Sequence, residues 1–166
     1  SRSSEYFFKR PVIEARSNSY QKNDRGNFYS KNLVYSQEQN RQRLYLYNLI
    51  SGKLQDFSPP QDKNKLFVKF YSDSALTTLA TLDPEANFIE AEDESTGTYY
   101  VDVILNQSID KVYEEWYYAA DGDATSENKI VVHSGEIEVK SRTSFTSRLG
   151  TDYISNITNI KPSYSS

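Results

Sequence analysis

The sequence contains no cysteine and no methionine, and only one histidine and one tryptophan occur among its 166 residues. Without cysteine, the chain cannot form disulfides, thiolate zinc sites or a thiol nucleophile. No stretch approaches the ~20 apolar residues that a membrane-spanning helix needs, and the first residues lack the charged-then-apolar pattern expected of a signal peptide. We therefore expect no membrane partner. With no methionine at position 1, we also expect either processed ends or a segment of a longer protein.

Glycine and proline are scarce, at six and five residues, whereas the chain has fourteen tyrosines and eight phenylalanines. This composition favours β-strands, because aromatic side chains pack well on a pleated surface and few residues interrupt the strands. Tyrosine also suits interfaces, since it combines an apolar ring with a polar hydroxyl. Composition alone leaves both roles open: tyrosines that face out of a sheet, or tyrosines that contact a partner.

Charge is distributed unevenly along the chain. Residues 1–45 carry nine Lys/Arg and four Asp/Glu, residues 46–140 carry seven and eighteen, and residues 141–166 carry three and one. The net charge of −4 is therefore the sum of +5, −11 and +2. Basic ends can dock on the acidic middle of a neighbouring copy, and an acidic total argues against a general nucleic-acid binder. The split predicts an assembly component more than an enzyme.

Alternating apolar residues predict short strands in the middle of the chain, at 44–50, 54–57, 66–71, 76–82, 86–91, 99–105, 112–118 and 129–140. Strands of this number and spacing are typical of an immunoglobulin-like antiparallel β-sandwich. We predict an all-β sandwich over residues 43–141, with a bulge or bend at Gly135. Its predicted core comprises Leu66, Val68, Phe70, Tyr99, Val101, Val103, Trp116, Ile137 and Val139.

Two extended arms flank this domain. Residues 1–42 form a basic N-terminal arm, with a short edge strand at 11–16 and a helical turn at 37–42. Residues 142–166 form a Ser/Thr-rich C-terminal arm. Neither arm can bury a core, yet both keep isolated anchors that can order on contact with a partner. The interface candidates are Tyr6, Phe7, Phe8, Lys9, Arg10, Arg16, Arg25, Phe28 and Tyr29 in the first arm and Phe145, Tyr153, Ile154 and Ile157 in the second.

Three residues have predicted structural roles. Gly97 followed two places later by Tyr99, at the end of an acidic loop, is similar to the tyrosine corner of immunoglobulin-like domains. There the hydroxyl bonds back to the loop backbone; the alternative is an ordinary turn beside a core tyrosine. Trp116 is expected to anchor the core.

The residues with catalytic or metal-binding potential are better explained as ordinary strand and loop residues. His133 and Ser134 are adjacent on a strand and point to opposite faces, which makes them a poor base–nucleophile pair. The carboxylates at 114–115, 136 and 138 are expected on solvated strand faces. The acidic loop 121–127 lacks the glycine and the bidentate glutamate of a calcium loop. We predict no catalytic residue, metal or cofactor.

Several stretches resemble structural proteins of tailed bacteriophages, marine cyanophage-like viruses in particular. They are KRPVIEAR at 9–16, DRGNFY at 24–29, LYLYN at 44–48, GTYYVDV at 97–103 and HSGEIEV at 133–139. The resemblance implies a virion protein built on immunoglobulin-like sandwiches, with arms that bind neighbouring subunits. It implies assembly in the host cytoplasm, no enzymatic activity, and partners that are copies of the chain and other virion proteins.

One alternative comes from another functional class. Exposed Tyr100, Tyr113, Tyr117 and Tyr118 would make a sugar-stacking platform on a carbohydrate- or surface-binding sandwich, with a glycan as partner. These tyrosines should cluster on one concave face if that alternative holds, and spread along edges if assembly holds. A glycoside-cleaving jelly roll ranks last, because nothing in the sequence brings two carboxylates together across a cleft.

Overall fold

The computed structural model describes residues 23–142. Within these residues the only α-helix, α1, is the four-residue Gln37–Asn40, and two short 3₁₀ turns occupy Asp24–Asn27 and Gln61–Lys63. The ten strands are β1 Phe28–Tyr29, β2 Gln42–Tyr47, β3 Leu49–Ile50, β4 Lys53–Leu54, β5 Lys65–Tyr71, β6 Ile89–Glu90, β7 Glu92–Ser95, β8 Thr98–Val103, β9 Lys111–Ala119 and β10 Ile130–Lys140. The predicted all-β class is confirmed.

The strands form two main sheets and a small hairpin. The larger sheet has the order β1-β10-β9-β5-β6, the smaller has the order β2-β8-β7, and β3 pairs with β4. The pairs within these sheets are antiparallel except for β1, which runs parallel to β10 with Phe28 opposite Val139. The described sheet is therefore mixed at one edge, a departure from the purely antiparallel expectation.

Both sheets contribute side chains to one core. Leu44 and Val101 from the smaller sheet join Val68, Trp116 and Ile137 from the larger one. All of the predicted core residues are buried there except Val139, which is half-buried and packs against the cluster. The predicted core is therefore confirmed. The prediction works because side chains alternate along a strand, which places every second residue on the interior face.

β9 is buried on both faces. Trp116 and Tyr118 face the main core, whereas Tyr117 and Ala119 face a second cluster that includes Phe67. The turn after β9 covers this second face, since the Tyr117 hydroxyl donates to the carbonyl of Gly122. A side chain at Gly122 would overlap the Phe88 ring, so glycine lets the turn lie close. A strand buried on both faces needs apolar or paired residues at every position.

The domain begins earlier than residue 43. Phe28 is only 1% exposed and lies in the main core, and β1 pairs with β10. The side-chain amide of Gln42 bonds both the N–H and the carbonyl of Tyr29, at 2.6 and 2.8 Å. Residues 23–42 therefore belong to the domain and not to an arm. The strand predicted at 11–16 and the C-terminal arm beyond Arg142 lie outside the described residues.

Three local predictions meet different outcomes. The helical turn expected at 37–42 is present as α1, with Ser36 as its N-cap: its hydroxyl accepts from the N–H of Gln39, and the Gln39 side-chain oxygen accepts from the N–H of Ser36. The strand expected at 76–82 is absent among the described residues, where only isolated bridges at Leu79 and Leu82 occur. The irregularity in β10 falls between Val131 and His133, not at Gly135.

Candidate functional site: the Arg25–Glu114 cluster and the sheet edges

Glu114 points from β9 into the space between the two sheets and is 1% exposed. It lies two residues from Trp116 and therefore shares its face, and the indole Nε1 donates to Oε2 at 2.8 Å. Gly135 stands opposite it on β10, where a Cβ would approach Glu114 Oε1 to 3.1 Å. Glycine thus leaves room for the carboxylate. The expectation of a solvated strand face is wrong for Glu114.

Arg25 is the main partner of this carboxylate. Its Nε donates to Oε1 at 2.8 Å and its NH2 donates to Oε2 at 3.0 Å, a bidentate pair. The remaining NH1 donates to the carbonyl of Tyr45 on β2. His133 completes the group, with Nε2 3.3 Å from Oε1. One guanidinium therefore joins the N-terminal segment to both sheets.

These donors decide the charge of Glu114. Burial raises its pKa, but hydrogen bonds from His133, Arg25 and Trp116 and the charge of Arg25 outweigh burial and lower the pKa to about 2. The carboxylate is therefore ionised at neutral pH. Because this pKa lies far below neutral pH, Glu114 is a poor general acid or base. Its constant negative charge instead suits it to hold Arg25 in place.

Glu115 faces the other side of β9 and has its own partner. It is 7% exposed, and Lys129 donates to its Oε1 from the end of the turn before β10. Burial, followed by the charge of Glu115, raises the pKa of Tyr71 to about 12. The expectation of a solvated face is wrong here too, whereas Glu136 and Glu138 are exposed as predicted.

Side chains of the N-terminal segment also cap the outer edge of β2. The N–H of Arg43 donates to Asp24 Oδ2 at 2.8 Å, and the carbonyl of Tyr45 accepts from Arg25. These are groups that a neighbouring strand would otherwise bond. Residues 24–29 therefore close one side of the domain.

This arrangement corrects the interface assignment of three residues. Arg25, Phe28 and Tyr29 bind within their own domain, because Arg25 neutralises a buried carboxylate and Phe28 fills the core. The remaining interface candidates lie outside the described residues: Tyr6, Phe7, Phe8, Lys9, Arg10, Arg16, Phe145, Tyr153, Ile154 and Ile157.

Comparisons with known proteins add no relative. No protein-family model, curated protein or solved structure matches this chain. The resemblance to tailed-phage structural proteins therefore stays a prediction, and the function is argued below from the molecule itself.

Tyr99 and Gly97 hold a distant segment and not their own loop. The Tyr99 hydroxyl accepts from the N–H of Phe57 at 3.1 Å, so the expected bond to the preceding loop is wrong. Gly97 has a φ of 66° and donates to Asp56 Oδ1 at 2.6 Å. A Cβ at Gly97 would lie 2.6 Å from Gln55 N, so only glycine permits this approach. Together they fix residues 55–57 over the end of the core.

The four tyrosines of the carbohydrate alternative do not form a platform. Tyr117 and Tyr118 are buried on opposite faces of β9. Tyr100 is half-buried, its ring covered by the guanidinium of Arg43 at 4.0 Å and its hydroxyl bonded to Glu92. A sugar ring stacks on an open aromatic face, and this arrangement does not provide a shared one.

The remaining candidate groups are separate from one another. His133 is half-exposed and contacts Glu114, not Ser134. In the acidic loop, Asp121 accepts from the N–H of Asp123 at 3.2 Å, as in a turn closed on itself. Residues 23–142 hold no cluster of three or more His, Asp or Glu side chains that could hold a metal ion. Within the same residues, no helix is long and apolar enough to cross a membrane.

Proposed function

We propose that this protein is a structural subunit of a tailed-phage virion, in the neck, tail or head region. In this proposal its two sheets form an immunoglobulin-like β-sandwich, and its terminal segments join it to copies of itself and to other virion proteins. Its role is structural and not catalytic.

The main observation behind this proposal is that the domain and the two terminal segments carry opposite net charges. The described residues 23–142 carry 12 Lys/Arg and 20 Asp/Glu, a net charge of −8. Residues 1–22 carry five and two, and residues 143–166 carry two and one, which gives +3 and +1. A basic segment on an acidic domain attracts the domain of the next copy and thereby favours association.

Exposed apolar side chains on the domain supply further contact area. They occur as neighbouring pairs on three surface segments: Leu33 and Val34, Leu49 and Ile50, and Ile130 and Val131. Adjacent exposed apolar residues favour protein contacts more than isolated ones do. The terminal segments carry matching aromatic and aliphatic anchors at Tyr6, Phe7, Phe8, Tyr153 and Ile154.

The Arg25–Glu114 cluster supports the same role. It ties the beginning of the described domain to both sheets, so residues 1–22 are attached to a firmly held point. The cluster also sets where a truncation must stop. Removing residues 23–40 would take away Arg25 and Phe28 and would expose a buried charge and part of the core.

Charge reversal in the N-terminal segment tests the proposal. Light scattering should show full-length protein as oligomers at low salt, and high salt should weaken them because exposed charges are screened. The variant R10E/R16E should assemble poorly. The matched control K53E/K63E makes the same net change on the domain and should still assemble. Equal behaviour of the two variants would contradict arm-mediated assembly.

Electron microscopy tests the virion role directly. Negative-stain images of the purified protein beside its native source should show rings, tubes or decorated shells that match parts of a phage particle. A protein that stays monomeric at every concentration and salt would overturn the proposal.

A further inference from the structure

We infer that Leu33 and Val34 of one copy insert into a cleft between residues 82–90 and 102–104 of a second copy, and that the two copies exchange this contact reciprocally. This inference rests on the proposed function, because it names one contact through which copies join. Both surfaces of the contact belong to the described residues.

Leu33 and Val34 are the most exposed large apolar side chains of the described residues, at 87% and 72%. They form the tip of a loop at residues 31–36, which we call the finger. The buried side chain of Asn40 donates to three carbonyls of this loop at 3.0 Å and accepts from the N–H of Asn32 at 2.9 Å. A loop held in this way loses little conformational freedom on binding, so its tip suits a partner contact.

The base of the finger is buried and cationic. Tyr35 is buried, and the guanidinium of Arg142 lies over the rings of Tyr29 and Tyr35, 4.9 and 5.1 Å from their centroids. Residues 31–42 carry two Lys/Arg and one Asp/Glu, and Arg142 adds a third cation. The finger therefore presents two apolar side chains above a base with a net positive charge.

The cleft between residues 82–90 and 102–104 offers a matching apolar surface. Its volume is about 340 Å³. A cavity of about 150 Å³ holds a benzene molecule, so this cleft has room for two aliphatic side chains. Most of its lining is apolar and comes from Leu82, Pro84, Phe88, Ile89 and Val103.

The border of the cleft is acidic and selects the occupant. Its carboxylates at 83, 90 and 102 each pair with a cation of their own chain, Lys31, Lys65 and Arg43 respectively. Residues 83–94 as a whole nevertheless carry six Asp/Glu and no Lys/Arg. An apolar cleft with such a border favours an apolar group flanked by cations, which is the chemistry of the finger. The local match offsets the repulsion between two domains of −8 each.

The position of the finger beside the cleft favours a reciprocal contact. Leu105 lies between them, bridged to Ser30 on one side and to Leu82 on the other, and the Lys31 ammonium reaches across to Asp83. Within one copy the finger stays outside the cleft, since its tip is exposed and Asn40 holds its backbone. Two complementary features that lie side by side on one surface can be exchanged about a two-fold axis.

Cysteine cross-linking tests the contact, since the chain has no native cysteine. One full-length copy carries Val34→Cys, and a second copy with a larger tag carries Asn87→Cys at the exposed border of the cleft. The two are mixed and treated with a short bis-maleimide. We expect a mixed-size cross-linked dimer. The matched control replaces Asn87→Cys with Ser95→Cys, an exposed serine that pairs with Thr98 at the other end of β8, and should give far less product.

The mixed dimer from the 34–87 combination supports the inference. A product only between two copies of Val34→Cys would mean that fingers meet one another, and equal yields from the 34–87 and 34–95 combinations would mean a non-specific contact. Either result overturns the inference. Oligomers that persist without the 34–87 product would refute this inference alone, whereas a chain that never oligomerises would refute the proposed function as well.

Removing the apolar tip gives an independent measurement. Leu33→Ser/Val34→Ser should leave folding intact, because both side chains are exposed, and should weaken self-association in analytical ultracentrifugation at least about tenfold. The matched control Leu49→Ser/Ile50→Ser removes another exposed apolar pair, which has no cleft to fill in this contact, and should weaken association less. Equal losses in the two variants would contradict insertion of the finger.

Discussion

Glu114 and Glu115 are neighbours in sequence, yet they lie on opposite faces of β9 in different environments. Glu114 is held by Arg25, Trp116 and His133, and its main partner lies 89 residues away. Glu115 is held by Lys129, 14 residues away. The inner carboxylate therefore fixes the global arrangement of the chain, and the outer one fixes a local turn. Burial alone does not distinguish the two roles, but the identity of the partners does.

Among the variants that test this comparison, Arg25→Leu should lower the free energy of unfolding the most. It leaves the Glu114 carboxylate buried without its main partner, which costs about 3–5 kcal/mol of unfolding free energy. Arg41→Leu is the control, because Arg41 pairs with Glu38 on the surface and should cost at most about 1 kcal/mol. Urea denaturation measures both.

A double variant sharpens this result. Arg25→Leu/Glu114→Leu removes both charges and should recover much of the lost stability, since no unpaired charge remains. If the double variant is as unstable as Arg25→Leu, the loss comes from packing and not from the unpaired carboxylate.

Acid should act through Glu114. Its pKa is about 2 in the folded protein and 4.5 as the ordinary value, a difference worth about 3 kcal/mol. A lowered folded pKa contributes stability that is fully present above pH 4.5 and is lost as the pH falls toward 2. Stability measured from pH 6 to pH 2 should fall less steeply in Glu114→Gln than in wild type. Identical slopes would show that Glu114 is not the group responsible.

Glu115→Gln should cost less than Arg25→Leu. It leaves Lys129 without its charged partner at a position closer to solvent, which costs about 1–3 kcal/mol. The loss should be confined to the region around residues 120–130, and hydrogen exchange can locate it. Faster exchange throughout the core would show that the outer carboxylate also has a global role.

Tyr99→Phe supplies a neutral reference on the inner face. It removes one hydrogen bond to the N–H of Phe57 and should cost about 0.5–1.5 kcal/mol. Thermal unfolding of Tyr99→Phe and of Arg25→Leu, measured side by side, compares the loss of a neutral hydrogen bond with the loss of an ion pair in the same core. A neutral result would show that the hydroxyl does not hold residues 55–57.

Alternation of residue types predicted the fold class and core well. Val68, Val101 and Trp116 occupy the expected faces because strand periodicity needs only local sequence. The same periodicity held a signal that was missed, since Glu114 stands in register with Val112 and Trp116 on an apolar face. A carboxylate there is stable only with partners, and those partners come from distant parts of the chain.

The role of residues 23–42 was harder to predict. Phe28 lies in a two-residue strand within a polar stretch, so it shows no periodicity. Its burial depends on pairing with β10, more than 100 residues later in the chain. Tyr117 posed a different difficulty, because tyrosine suits both a buried and an exposed face. Only the turn around Gly122 decides between them.

The position of Arg25 has a mechanical consequence. A pulling force applied through residues 1–22 reaches Arg25 before it reaches Phe28 or β1. The first bonds to be loaded are therefore the one between Asp24 and Arg43 and those of Arg25 to Glu114 and Tyr45, and not those of the two-residue strand β1. Resistance to such a pull depends on how fast a buried ion pair breaks, a kinetic property separate from equilibrium stability.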